Sequence, residues 1–122
     1  MLFQGLRTVC YKVGNIDAAK NWYAGVLGVQ PYFDKPFYVG FNIAGYELGL
    51  QPTEHPSDVP STTVTAYWAV DDVQKEFDSL LAAGAKAIEP PTNVGGELVI
   101  ATVQDPWGNA FGIIYNPEFK LP

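Results

Sequence analysis

Residues 6–28, LRTVCYKVGNIDAAKNWYAGVLG, decide the fold. The first eight, 6–13, alternate loosely and are β-branched or aromatic enough to predict a strand. Gly14 and Asn15 break it, and Asn15 is suited to cap a helix that starts at Ile16 or Asp17. Ile16, Ala19, Tyr23, Val26 and Leu27 then recur at helical spacing, and Gly28 is a good C-terminal stop. Three short strands are expected next, at about 30–34, 37–43 and 46–50, separated by Lys35-Pro36 and by Gly45.

The second half repeats this order. Residues 63–70 predict a strand, Asp71 or Asp72 caps the next helix, and Val73, Phe77, Leu80 and Leu81 mark its buried face. Gly84 ends that helix, and strands are expected at about 86–89, 97–103 and 110–115, the last two divided by Asp105-Pro106-Trp107-Gly108-Asn109. Val13 matches Val70 and Ile16 matches Val73 at a constant offset, which points to internal duplication. Residues 52–61 between the halves hold three prolines, Pro52, Pro56 and Pro60, and predict a stiff extended connector. The expected class is α+β: one domain over 1–122, with a βαβββ module at about 5–51 and a second at about 62–117. Neither half is long enough to bury a sturdy core alone, so the halves must pack on each other or on another chain.

Composition narrows the function. A chain of 122 residues and 13.3 kDa is one domain's worth, and 48 % apolar against 16 % charged residues suits a packed globule. Seven Lys plus Arg against thirteen Asp plus Glu leave a net charge of −6. A nucleic-acid partner is therefore not expected, because displacing counterions from phosphates needs clustered cations. A membrane partner is not expected either, for want of a long apolar run or a basic surface. The first residues carry no signal-peptide pattern. The single cysteine, Cys10, excludes an internal disulfide and fits a reducing, cytoplasmic setting.

Two successive βαβββ units whose helices run out in Leu27-Gly28 and Ala83-Gly84 resemble the vicinal oxygen chelate superfamily of glyoxalases, bleomycin-resistance proteins and dioxygenases. The motifs that carry the resemblance are Val13-Gly14-Asn15-Ile16-Asp17, Trp22-Tyr23, Val26-Leu27-Gly28 and Val103-Gln104-Asp105-Pro106-Trp107-Gly108-Asn109. It implies two curled mixed sheets, each with one helix on its convex face, a ligand cup between the modules, and a homodimer. In metal-dependent members the ligands come from the first and last strands of each module. Carried onto this chain, those positions are Thr8, Glu47, Thr65 and Gly112, of which only Glu47 can bind a metal. One His and one Cys in the whole chain cannot supply the three or four ligands that zinc, iron or nickel require. No metal and no cofactor is expected.

Strand alternation gives the lining of the expected cup. Thr8 inward brings Cys10 and Lys12, and leaves Val9, Tyr11 and Val13 under the helix. Thr65 inward brings Tyr67, and leaves Val64, Ala66, Trp68 and Val70 for the core. Glu47 brings Gly45 and Gly49, and these glycines with Gly112 leave room for a guest or for closely approaching backbone. Lys12 either recognises a substrate carboxylate, as the resemblance implies for its position, or neutralises Glu47, or snorkels to solvent. Tyr32, Phe33, Phe37, Tyr38, Phe41 and Trp107 are a stacking surface or, for any one of them, core and dimer interface. Cys10, with no base near it in sequence, reads as a small buried hydrophobe. The expectation is a binder of a small organic ligand through Thr8, Lys12, Glu47, Thr65, Tyr67, Trp107 and Gly112, its acidity favouring a cationic or neutral guest. Two alternatives are a metal-independent lyase or isomerase with Glu47 as the catalytic base, and a non-catalytic interaction module.

Overall fold

The computed structural model describes residues 2–119. Ten elements follow one another as β1 (Thr8–Val13), α1 (Ile16–Leu27), β2 (Phe33–Lys35), β3 (Tyr38–Ile43), β4 (Tyr46–Pro52), β5 (Tyr67–Ala69), α2 (Val73–Ala82), β6 (Lys86–Gly95), β7 (Leu98–Gln104) and β8 (Ala110–Tyr115). The order βαβββ occurs twice, and each repeat makes one four-stranded mixed sheet, β1-β4-β3-β2 and β5-β8-β7-β6. In both, the first and last strands of the module run parallel and the other pairings are antiparallel. The chain divides into two compact units between Pro60 and Ser61. Among the described residues no helix is long and apolar enough to cross a membrane.

The first unit is built on one face of its sheet. The Asn15 side chain accepts a hydrogen bond from the Ala18 N–H at 3.0 Å, and Gly28 closes α1 in the left-handed region at φ 71°, as helix ends require. Between those caps Ala19 and Tyr23 turn inward onto Tyr11, Val13, Val39, Phe41, Leu48 and Leu50, all buried. Tyr23 stacks on Tyr11 with ring centroids 6.1 Å apart. Burying side chains of this size stabilises by about 1.5–3 kcal/mol each. The helix therefore covers one face, and the residues between these on each strand, Thr8, Cys10, Glu47, Gly49, Tyr38 and Gly40, share the other.

The second unit repeats the plan with α2, capped by the Asp72 side chain on the Lys75 N–H, over Ala101, Val103, Phe111 and Ile113. Its first strand departs from expectation. Only Tyr67–Ala69 form β5, and Val64, expected in the core, is 80 % exposed. The cause is local: Ser61 Oγ accepts the Thr63 N–H at 3.2 Å and meets Thr63 Oγ1 at 2.9 Å, a side-chain turn that competes with the sheet ladder. β6 is longer than expected, running on to Gly95 through Pro90 and Pro91 with register shifts on both sides of them. Prolines are tolerated there because β6 is an edge strand. The connector is not simply extended: Asp58 Oδ2 accepts the Glu54 and His55 N–H groups at 3.0 and 3.2 Å and bends the chain back.

Candidate functional site

β1 and β4 run parallel with Thr8 directly opposite Glu47, so the two sit side by side on the uncovered face of the first sheet. Thr8 Oγ1 donates to Glu47 Oε1 at 2.8 Å. Tyr38, from β3, donates its hydroxyl to the same oxygen at 2.8 Å. Tyr32, in the stretch between α1 and β2, donates to Oε2. The carboxylate is thus held by three hydroxyls, none of which carries a positive charge.

Two glycines make this possible. Gly49 of β4 and Gly40 of β3 face each other across the sheet, and the absence of side chains there leaves a shallow floor. A Cβ on Gly49 would collide with the Tyr38 hydroxyl and stand 2.7 Å from its Cζ. A Cβ on Gly40 would stand 2.9 Å from Tyr32 Cε1 and 2.7 Å from Glu47 Oε2. The phenol rings lie where side chains would otherwise be, and their hydroxyls meet at Glu47.

The electrostatics follow. The Tyr32 hydroxyl holds the Glu47 carboxyl below the usual carboxylate range, and Tyr38 and Thr8 act in the same sense against burial, which pushes it up. Tyr38 is raised above an ordinary phenol, first by burial and then by its bond to Glu47 and its contact with Cys10. Tyr32 is raised as well, chiefly by its bond to Glu47. Glu47 is therefore ionised at neutral pH and the two phenols keep their protons. A carboxylate so held is a weak proton acceptor.

The other expected residues divide. Lys12 shares the Thr8 face of β1 by alternation, and its Nζ lies 3.9 Å from Asp58 Oδ2 in the connector. Cys10, expected to be buried, is exposed, because it faces away from α1; its Sγ is 3.9 Å from the Tyr38 hydroxyl. Gly45 separates β3 from β4 as expected, in a turn at φ 92° beside Ala44 at φ 52°, and so is not part of the strand face that Glu47 and Gly49 share. In the second unit Thr65, Tyr67 and Gly112 do come together: a Cβ on Gly112 would be 2.7 Å from both Thr65 Cγ2 and Tyr67 Cδ1. Thr65 precedes β5, however, and it is Tyr67 that opposes Gly112. By sheet register Gly112 is the counterpart of Gly49, and Ala110 is the counterpart of Glu47. Trp107 lies in the β7–β8 turn, where its N–H is bound by Asp105 Oδ1 at 2.9 Å. Sequence reasoning found Thr8 and Glu47 but placed Tyr32 and Tyr38 only among aromatics of a stacking surface or of core and dimer interface; the signal for their role was the glycine pair at 40 and 49.

Thr8, Glu47, Thr65 and Gly112 do not fit a divalent metal. They offer one carboxylate whose two oxygens already accept hydroxyl protons, two alcohols and no imidazole. Among the described residues no group of three or more His, Cys, Asp or Glu is placed to hold a metal ion.

Comparison with known proteins agrees with the architecture. Over residues 5–113 the chain matches the model of the Glyoxalase/Bleomycin resistance protein/Dioxygenase superfamily. A glyoxalase-related enzyme from Fulvimarina pelagi is 19 % identical with a TM-score of 0.81, covering 98 % of this chain and 94 % of its own. A glyoxalase/bleomycin resistance protein/dioxygenase family enzyme from Burkholderia phytofirmans PsJN is 23 % identical with a TM-score of 0.76, over 88 % of this chain and 95 % of its own. TioX from Micromonospora sp. ML1 is 21 % identical with a TM-score of 0.68, over 91 % and 98 %. At these identities the likeness is one of fold. No curated protein matches the chain. With the duplicated βαβββ plan, the paired motifs and a family match over nearly the whole length, the chain belongs to the glyoxalase/bleomycin resistance protein/dioxygenase superfamily.

Proposed function

We propose that this protein binds a small organic molecule without a metal, on the face of the first sheet that carries Thr8, Glu47, Tyr32 and Tyr38. The observation that carries the reading is the hydroxyl cage around Glu47. At the position from which the resemblance would have the chain ligate a metal, both oxygens of the one carboxylate are engaged by Thr8, Tyr32 and Tyr38. The same cage argues for binding over proton abstraction, since it holds Glu47 in the ionised, weakly basic state. Exposed Phe33 and Phe37 stand at the edge of this face, with rings 6.1 Å apart, and aromatic surface of this kind receives planar or apolar guests. A homodimer is part of the proposal and is read by sedimentation equilibrium.

Elemental analysis of purified protein, joined to calorimetric titration of chelator-treated protein against neutral, acidic and basic aromatic compounds, tests this. The expected result is substoichiometric metal and unchanged affinity for at least one compound after chelation. One retained equivalent of zinc, iron, nickel or manganese, with binding abolished by chelation, overturns it.

A further inference from the structure

Of the three donors on Glu47, one differs in kind. Thr8 and Tyr38 belong to strands and are half-buried, whereas Tyr32 comes from the segment between α1 and β2 and is 65 % exposed. Its backbone is anchored, N–H to Gly40 O at 2.9 Å, but the ring rests on a glycine and is otherwise open to solvent. Turning that ring outward frees Oε2 and uncovers a ring-sized space over Gly40. Glu47 stays in place, because Oε1 keeps Thr8 and Tyr38.

We propose that Glu47 Oε2 is the seat of a small organic cation, an amine or amidine of about the size of one aromatic ring, which displaces the Tyr32 hydroxyl and takes its place over Gly40. This rests on the proposed function and adds the chemical class of the guest. Among the described residues the carboxylate is bonded by neutral hydroxyls alone, so a cationic N–H donor adds the attraction of opposite charges to a bond that with the phenol carries charge on the acceptor side only. Phe33 opposes Gly40 across the β2–β3 pair, with its ring centroid 6.0 Å from that of Tyr38 and 6.1 Å from that of Phe37. By that register the Phe33 side chain stands on the sheet face that carries Gly40, and an aromatic ring close to the seat attracts positive charge. An anionic guest would meet Glu47 with like charge. A neutral guest would exchange one hydroxyl bond for another of equal strength.

Benzamidine, benzamide and benzoate share one ring and differ in charge, so they are the probes. Titration by calorimetry, with amide shifts of Gly40 and Tyr32 followed by NMR, is expected to show benzamidine binding at least about tenfold more tightly than the other two. Tyr32→Phe removes the competing hydroxyl and should tighten benzamidine by about threefold or more, while Glu47→Gln should abolish the preference for charge. Benzamide or benzoate binding as well as benzamidine overturns the inference, as does a charge preference that survives Glu47→Gln, unchanged or weaker benzamidine binding in Tyr32→Phe, or shifts that leave Gly40 unmoved. If Glu47→Gln does not fold, the three-probe comparison and Tyr32→Phe decide. Neutral compounds binding over Gly40 would leave the proposed function standing and remove only the cation; no compound binding at all would remove both.

Discussion

Gly49 is the position where one methyl group does most to the site. A Cβ there meets the hydroxyl and ring of Tyr38, and Tyr38 is half-buried between neighbours, so the ring must leave its bond to Glu47. Gly40→Ala meets the Tyr32 ring and Glu47 Oε2, and an exposed ring gives way. Gly49→Ala should therefore cost about 1–3 kcal/mol in urea unfolding, with a rise in the Glu47 pKa by carboxyl NMR, and Gly40→Ala clearly less. Equal losses at the two glycines would contradict the cage as described. The sequence already pointed to Thr8 and Glu47, because the resemblance to the vicinal oxygen chelate superfamily implies ligand positions there, on the first and last strands of the module. It could not show the two phenol donors. Tyr32 and Tyr38 precede Glu47 by 15 and 9 residues, and it is the β3–β4 register, setting Gly40 beside Gly49, that leaves room for their rings to reach it.

Turns and caps were the most legible elements, because their chemistry is local. Asn15, Gly28 and Asp72 stand where capping rules put them. The β7–β8 turn explains the last of the family motifs in the same terms. Asp105 is only 3 % exposed and its Oδ1 accepts the N–H groups of Trp107 and Asn109 at 2.9 and 2.8 Å. The motif is thus first a turn that holds β7 against β8. Asp105→Ala removes the carboxylate that accepts two N–H groups and should cost about 2–3 kcal/mol in urea unfolding, against about 1 kcal/mol for Asn15→Ala at a solvent-exposed helix start. A smaller loss at Asp105 than at Asn15 would contradict that role. The strands were less legible. β5 contracts because Ser61 and Thr63 bond to each other, and β6 extends because an edge tolerates Pro90 and Pro91. Periodicity registers neither, since both depend on what lies beside the strand.

At the scale of the whole chain, duplication was readable from the constant offset between modules, but the unequal use of the modules was not. The first repeat keeps a carboxylate where the second has Ala110, and this shows only when register is counted on the sheets. That asymmetry makes Glu47 a control point for stability at both ends of the pH scale. Its pKa is lowered in the folded chain from 4.5, so the unfolded chain binds the proton more tightly. The stability this gives is present above 4.5 and is lost as pH falls through the folded value. Tyr32 and Tyr38 are raised from 10.0, so their contribution is present below 10.0 and is lost as pH rises through their folded values. Thermal unfolding should therefore show a plateau between about pH 5 and 9 with falling limbs on both sides. Glu47→Gln should flatten the acid limb. In ultraviolet titration the same substitution should bring Tyr32 back toward 10.0, because its shift comes chiefly from Glu47, while Tyr38, raised first by burial, stays high. General self-repulsion among the acidic residues would leave both tyrosines unmoved by one amide. A Tyr32 titration unchanged in Glu47→Gln would mean that the hydroxyl cage does not form in solution.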